Sequence, residues 1–222
     1  MKVVHFGVKL LKRGKEFKLT RDEFAIINTK PSLSIFLGLK KDGAYVDENG
    51  SAYTEVWCKE YRELCLKNYD LNIQYFAMLD KDDFNEALDS FLKRYNKFVN
   101  VTDLSDYSRC EGYYVMVLDE YKQVYIGKSD DIKARIMKHW SITKPFDRTL
   151  FPMYAYNKSC FSIDFFRALD TTRIFVWKRS VLDSLEAKLI KSFPSKYCTN
   201  RIGGDITSGI EALATRINHN LV

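Results

Sequence analysis

Two tyrosines that flank a short charged segment have the spacing to act together. In residues 111–129, EGYYVMVLDEYKQVYIGKS, two apolar runs surround the tetrapeptide DEYK and predict a β-hairpin. If the turn is centred on DEYK with two or four residues, Tyr114 lies opposite Gly127 and Tyr125 lies opposite Met116. The two phenols then share a sheet face as diagonal neighbours and can act on one ligand, with Gly127 leaving room for the Tyr114 ring. A three-residue loop would put them on opposite faces.

An arginine and a histidine lie on the apolar side of the helix predicted after the hairpin. Ser129 can cap this helix, DDIKARIMKHW, and its two aspartates suit the positive helix N-terminus. Arg135 and His139 are four residues apart and share a side with Ile132 and Ile136. The face toward the sheet therefore carries a guanidinium and an imidazole. The alternative is that both side chains lie at the edge of that face and reach water.

A glutamate lies inside the apolar stripe of a later helix, predicted to start near Ser180. At about 100° per residue, Glu186 falls between Leu185 and Ile190 around the helix. Because an unpaired buried charge is costly, this carboxylate must pair with a cation, bind a metal or become protonated. A salt bridge to Arg135 is the plain structural alternative. The apolar stripe comprises Leu182, Leu185, Leu189, Ile190 and Phe193.

Together these segments resemble the GIY-YIG nuclease family over about residues 111–205. The first motif is Gly112-Tyr113-Tyr114 and the second is Tyr125-Ile126-Gly127. The segment YIGKSDDIKARIMKHW continues in the style of the family. The family's arginine and its common histidine match Arg135 and His139, its metal-binding glutamate matches Glu186, and its asparagine matches Asn200, in TNRIGGD.

The resemblance implies a metal-dependent endonuclease that hydrolyses phosphodiester bonds of duplex or branched DNA. Glu186 would hold a single Mg²⁺ (or Mn²⁺), and Arg135 would clamp nonbridging phosphate oxygens. Tyr114 is the candidate general base or water-positioning group, and Tyr125 would orient the water or phosphate. His139 would assist proton transfer, and Asn200 would fix the glutamate or the backbone around the site. Which tyrosine is the base stays open.

Basic residues near these motifs could follow a DNA backbone. A solvated helix face explains any single one of them equally well. The candidates are Lys128, Lys133, Lys138 and Arg148.

The chain departs from the family pattern at two places. Tyr113 replaces the middle isoleucine of the first motif and should point away from the site. The span between His139 and the glutamate helix is long, so we expect residues 141–170 to form an insertion that shapes substrate binding.

The first half of the chain predicts an α+β region. KVVHFGVKLL and EFKL are typical of strands around a turn at residues 13–15. SLSIFLGL indicates another strand before a turn at residues 41–43, and Asn49-Gly50 marks a further turn. Thr54 can cap a helix to about Lys67. Apolar spacing from Phe84 to Val99 predicts a second helix after the acidic start Asp82-Asp83.

The polar stretch at residues 100–109 is the predicted domain boundary. We expect an α+β N-terminal domain at residues 1–105, contributing specificity or partner binding. A GIY-YIG domain would follow at 110–222, with a small, mainly antiparallel sheet flanked by helices and a short final helix near 210–217. The overall fold class is α/β in the broad sense, more exactly α+β.

Charge and composition limit the possible functions. Residues 1–108 hold 17 Lys/Arg and 17 Asp/Glu, whereas residues 109–222 hold 18 and 12, so the net charge of +6 lies in the second half. A basic half suggests a polyanionic partner. The sequence contains no run of 18 apolar residues, so we expect no membrane-spanning helix. The five cysteines never form a CxxC pair, which favours reduced thiols and a cytoplasmic protein.

Two other functions are compatible with the sequence. One is a nucleic-acid-binding or regulatory protein that keeps the fold without cleavage. Retention of Tyr114, Tyr125, Arg135, Glu186 and Asn200 together argues against it. The other is a protein-interaction adaptor built on the neutral first half of the chain.

Overall fold

A four-stranded antiparallel sheet is the centre of the computed structural model, which describes residues 2–11, 16–24, 55–141 and 161–200. Its strand order is β3-β6-β4-β5. The prediction of a mixed α+β protein with small antiparallel sheets and helices is confirmed. The strands of this sheet are β3 (Val99–Asn100), β4 (Gly112–Leu118), β5 (Gln123–Ser129) and β6 (Arg173–Lys178).

The hairpin β4–β5 has the predicted register. Tyr114 lies opposite Gly127 and Met116 lies opposite Tyr125. The four residues Asp119–Lys122 form the turn, in which Lys122 adopts a φ of 50°. Because the turn has an even number of residues, the two tyrosines share one face of the sheet.

Alternation along β4 sends its side chains into two separate clusters of buried residues. Tyr114 and Met116 pack on the face covered by α4 (Ile132–Ser141). Tyr113 and Val115 pack on the other face, with α3 (Lys81–Arg94) and α5 (Asp183–Lys191). Tyr113 therefore points away from Tyr114, as predicted.

The first hairpin turns earlier than the sequence predicted. Strands β1 (Lys2–His5) and β2 (Val8–Leu11) are joined by Phe6 and Gly7, which have φ values of 46° and 72°. A two-residue loop with both φ values positive matches the twist of the strands, but a phenylalanine there gives no turn signal. Residues 16–19 form no strand, and the predicted turn at residues 13–15 lies outside the described residues.

The helices of the first half also differ from the predicted bounds. They are α1 (Arg21–Phe24), α2 (Glu55–Met78) and α3. Helix α2 continues past Lys67, and α3 ends before Val99, which lies in β3 instead. The side chain of Asp80 caps α3 by accepting hydrogen bonds from Asp82 N and Asp83 N, both at 2.8 Å.

Residues of both halves of the chain share one cluster of buried side chains. Phe24 and Phe76 belong to the same cluster as Tyr114 and Phe161. The predicted boundary stretch contributes Asn100 to the central sheet and a short 3-10 helix, Leu104–Tyr107. The division into domains at 1–105 and 110–222 stays a prediction.

Two helix starts in the second half need correction. Asp131, not Ser129, caps α4, because its Oδ1 accepts from Ala134 N at 2.9 Å while Ser129 Oγ accepts from Asp131 N in the turn before it. Leu182 is not part of the apolar stripe of α5. It precedes the helix in an extended conformation and is 53% exposed.

The described part of the second half contains three further short 3-10 helices. No helix in the described ranges is long and apolar enough to cross a membrane. Outside the described residues lie the strand predicted at residues 32–39, the turns predicted at 41–43 and at Asn49-Gly50, the helix near 210–217 and most of the expected insertion. The 3-10 helices are Ile163–Phe165, Ala168–Asp170 and Ser195–Tyr197.

Candidate active site

The phenols of Tyr114 and Tyr125 meet the imidazole of His139 on one face of the sheet. Tyr114 Oη lies 2.9 Å from His139 Nε2, and the Tyr125 ring centroid lies 4.9 Å from that of His139. His139 is buried and Arg135 is half-buried. The alternative in which this pair reaches water at the edge of the helix is therefore wrong for His139.

The charge of Arg135 acts on both phenols. Burial, the largest effect, raises the pKa of Tyr114 well above its usual value and that of Tyr125 to about 12. The guanidinium opposes this through its charge and through side-chain hydrogen bonding to each hydroxyl. Both phenols are therefore protonated at neutral pH, and a phenolate formed here would lie beside a cation.

Gly127 provides the space that the Tyr114 ring fills. A Cβ atom at Gly127 would lie 2.6 Å from both Cζ and Oη of Tyr114 and 2.8 Å from Cε1 of Tyr125. Real Cβ atoms do not approach other atoms so closely, so any side chain at this position would force the two tyrosine rings to shift. The space expected opposite Tyr114 is confirmed.

A carboxylate that the sequence did not single out contacts the far side of His139. His139 Nδ1 lies 2.5 Å from Asp164 Oδ1, and both side chains are largely buried. Asp164 comes from the 3-10 helix Ile163–Phe165 and follows an aromatic stretch without helical or strand period. Only a general rule of chemistry pointed to such a residue: a side chain that accepts a proton is commonly oriented by a further polar group.

Glu186 lies at the border of this group. It is half-buried, and its Oε2 lies 3.5 Å from Lys128 Nζ. Lys128, and not Arg135, is therefore the cation that pairs with it in the described structure. The charge of Glu186 nevertheless contributes to the raised pKa values of Tyr114 and Tyr125, so the carboxylate lies within electrostatic range of both phenols.

The described side chains that could bind a metal ion are too few to hold one tightly. Among the described residues, no group of three or more His, Cys, Asp or Glu side chains could hold a metal ion. A single protein carboxylate is nevertheless compatible with Mg²⁺. This ion keeps several of its water ligands, and substrate phosphates can provide the remaining ones. Glu186 is partly exposed, so a hydrated ion can reach it once Lys128 moves aside.

Asn200 fixes the backbone between Tyr125 and Gly127. Its Oδ1 accepts from Ile126 N at 2.8 Å, and its Nδ2 donates to Ile126 O at 2.7 Å. The side chain is buried and also accepts a hydrogen bond from the Cys198 thiol. Of the two roles considered for Asn200, the geometry matches the one on the backbone.

The predicted phosphate-contacting residues do not form one row. Lys133 and Lys138 lie about 140° apart around α4. Lys133 Nζ donates to Ser105 Oγ at 3.4 Å, whereas Lys138 lines an apolar groove of about 550 Å³ with Leu10 and Trp140. Arg148 lies outside the described residues. A nucleic-acid role for these residues and for Lys128 stays a prediction.

Comparisons of the chain with protein-family models, with curated proteins and with solved structures found no match. Membership of the GIY-YIG family stays a prediction that rests on the motifs and their order.

Proposed function

We propose that the protein is a metal-dependent endonuclease that hydrolyses DNA phosphodiester bonds with a GIY-YIG active site in its second half. The observation that carries the proposal is the meeting of Tyr114, Tyr125, Arg135 and His139 on one sheet face, within electrostatic range of Glu186. Phosphodiester hydrolysis needs a proton acceptor for water and positive charge at the phosphate. These four side chains are able to supply both.

Tyr114 and His139 would act in sequence as the proton acceptor. A buried phenol with a raised pKa cannot ionise in advance, so its own proton must leave as the proton of water arrives. His139 Nε2 is in position to take that proton. The attacking water loses its proton to Tyr114 Oη, the oxygen of water bonds to phosphorus, and the bond from phosphorus to the leaving oxygen breaks. The leaving oxygen then takes a proton from solvent.

Arg135 and Glu186 would manage the negative charge. The planar guanidinium of Arg135 can donate to two nonbridging phosphate oxygens at once. A phosphate bound in this way would also hold the guanidinium beside the two phenols. Glu186 would hold Mg²⁺ or Mn²⁺ together with water molecules. When bound, the ion would stabilise charge on the phosphate and the leaving oxygen.

Cleavage by the purified full chain tests the proposal. Supercoiled plasmid, linear DNA, branched DNA and RNA are incubated with Mg²⁺, Mn²⁺ or EDTA. We expect cutting of DNA that depends on the metal. Glu186→Ala and Arg135→Ala should reduce the rate about 100-fold or more, and Tyr114→Phe should slow it to a similar degree.

Matched variants control for nonspecific effects of each substitution. Glu86→Ala and Arg94→Ala change exposed residues of α3, and Tyr95→Phe removes a hydroxyl that has no partner among the described residues. All three should cut at the wild-type rate. Full activity of Glu186→Ala would remove the metal assignment.

Absence of cleavage by folded wild-type protein would favour the nucleic-acid-binding alternative. Salt-dependent DNA binding, measured by fluorescence anisotropy, would then support it, because contacts to phosphates release counterions. Sequencing the ends of any cut DNA would show whether a recognition sequence exists.

A further inference from the structure

We propose that Asp164 is a positioning residue that holds His139 in the one tautomer able to accept the Tyr114 proton. This inference rests on the proposed function, because it concerns the same proton transfer. Asp164 lies on a 3-10 helix outside all the motifs that carry the family resemblance. The arrangement is a chain of three side chains, Tyr114, His139 and Asp164, joined by two hydrogen bonds.

The tautomer follows from the donor and acceptor inventory. An ionised carboxylate only accepts hydrogen bonds, so the nitrogen that faces Asp164 must carry the hydrogen. That nitrogen is Nδ1, 2.5 Å from Asp164 Oδ1. In neutral His139, Nε2 then has a lone pair directed at the Tyr114 hydroxyl, 2.9 Å away. In the other tautomer, Nε2–H would face the Tyr114 hydroxyl as a donor, and the phenol could not pass its proton to His139.

The charge of Asp164 favours the product of the transfer. When His139 takes the phenol proton it becomes a cation, and a carboxylate in direct contact stabilises that cation. Among the described residues, the other titratable or charged groups near the imidazole are Tyr114 from β4, Tyr125 from β5 and Arg135 one turn earlier on α4. Arg135 stabilises the phenolate left behind while it disfavours the imidazolium. The negative charge of Asp164 compensates for that second effect.

A buried ion pair anchors the segment that carries Asp164. Arg167 Nη1 donates to the Asp164 carbonyl oxygen at 3.0 Å, and Arg167 Nε donates to Glu23 Oε1 at 2.8 Å. The side chains of Arg167 and Glu23 are only 10% and 7% exposed. Residues of the first half of the chain thus contribute to the placement of Asp164.

Nitrogen NMR of the free protein tests the tautomer without any cleavage assay. The chain has three histidines, and the signals of His139 in ¹⁵N-histidine-labelled protein are assigned by their loss in His139→Gln. Above its titration midpoint, His139 should carry hydrogen on Nδ1 alone. In Asp164→Ala this preference should be lost. Hydrogen on Nε2 in the wild type, or an unchanged tautomer in folded Asp164→Ala, would overturn the proposal.

Asp164→Asn separates charge from geometry. The amide oxygen can still accept from Nδ1, so the tautomer should persist, but the titration midpoint of His139 should fall by about one unit or more because the carboxylate charge is gone. An unchanged midpoint would also overturn the proposal. Asp89→Asn, at an exposed position of α3, is the matched control and should leave both signals unchanged.

Cleavage kinetics provide the second readout. Asp164→Asn should lower kcat on the order of 10- to 100-fold with an unchanged KM, because the residue does not contact DNA. The acid limb of its pH–rate profile should move to lower pH, since neutral His139 persists further into acid. A purely structural role for Asp164 would not move that limb. If no protein cuts DNA, the NMR results still decide the tautomer while the nuclease proposal fails.

Discussion

The hydroxyl of Tyr113 accepts a hydrogen bond from Leu182 N at 2.6 Å and donates one to Leu182 O at 2.9 Å. Leu182 immediately precedes α5, and Glu186 lies on the first turn of that helix. Tyr113 thereby ties the central strand to the helix that carries Glu186. Tyr113, which the sequence predicted only to point away from the site, therefore also fixes the start of a helix.

Tyr113→Phe should lower the free energy of unfolding by about 1–2 kcal/mol, because the buried ring stays while two hydrogen bonds are lost. Urea denaturation measures the change. Tyr95→Phe is the matched control, since the Tyr95 hydroxyl is buried without a partner among the described residues, and its loss should be neutral or stabilising. Equal destabilisation by the two variants would contradict the anchoring role of Tyr113.

Gly127→Ala should destabilise the protein by about 1–3 kcal/mol, because the new methyl group overlaps the Tyr114 ring. In the background of Tyr114→Ala the same substitution should cost less, since one of the two rings that it meets is gone and only the contact with Tyr125 remains. A double-mutant cycle measured by urea denaturation should therefore give a coupling energy of about 0.5 kcal/mol or more. Strict additivity would show that Tyr125 or the backbone of β5, and not the Tyr114 ring, disfavours a side chain at position 127.

Asp170 should contribute more to the free energy of unfolding in acid than at neutral pH. The wild type should therefore gain stability over Asp170→Asn as the pH falls. Burial is the main cause that raises its pKa, although Arg167 N, Leu19 N and Tyr121 Oη all donate to the carboxylate. A raised folded-state pKa gives stability that is fully present below the unfolded value of about 3.9 and is lost as pH rises through the folded value.

The measurement is the free energy of unfolding of both proteins from pH 3 to pH 7. The amide of Asp170→Asn keeps an acceptor for the backbone groups and cannot ionise. The difference between wild type and variant should therefore shrink or reverse as pH rises. A difference that grows with pH would mean that the hydrogen bonds outweigh burial.

Alternation of side chains predicted the two faces of β4 and β5 correctly, because the period of two is a property of the strand itself. The even-numbered turn then placed Tyr114 and Tyr125 together. The helical spacing of Arg135 and His139 likewise placed both beside the phenols. Local periodicity was sufficient wherever the partners lay on neighbouring elements.

Other features depended on choices between equivalent residues or on distant contacts. Ser129 and Asp131 are both good capping residues, and only the path of the chain selects Asp131. Leu182 has the residue spacing of the apolar stripe, but it precedes the first residue of the helix. Asp164 and His139 are 25 residues apart in an aperiodic region, so nothing local indicated their contact.

The strand that carries Tyr125 and Gly127 is an edge of the described sheet, yet its outer side is occupied. Thr199 N donates to Val124 O at 2.8 Å, and the Asn200 amide takes both backbone groups of Ile126. An incoming extended peptide finds these positions already bonded, so they cannot take part in β-strand addition by another chain. Asn200→Ala would leave the backbone N–H and C=O of Ile126 without these partners. We therefore expect the substitution to favour self-association through this strand and to make the backbone between Tyr125 and Gly127 less rigid.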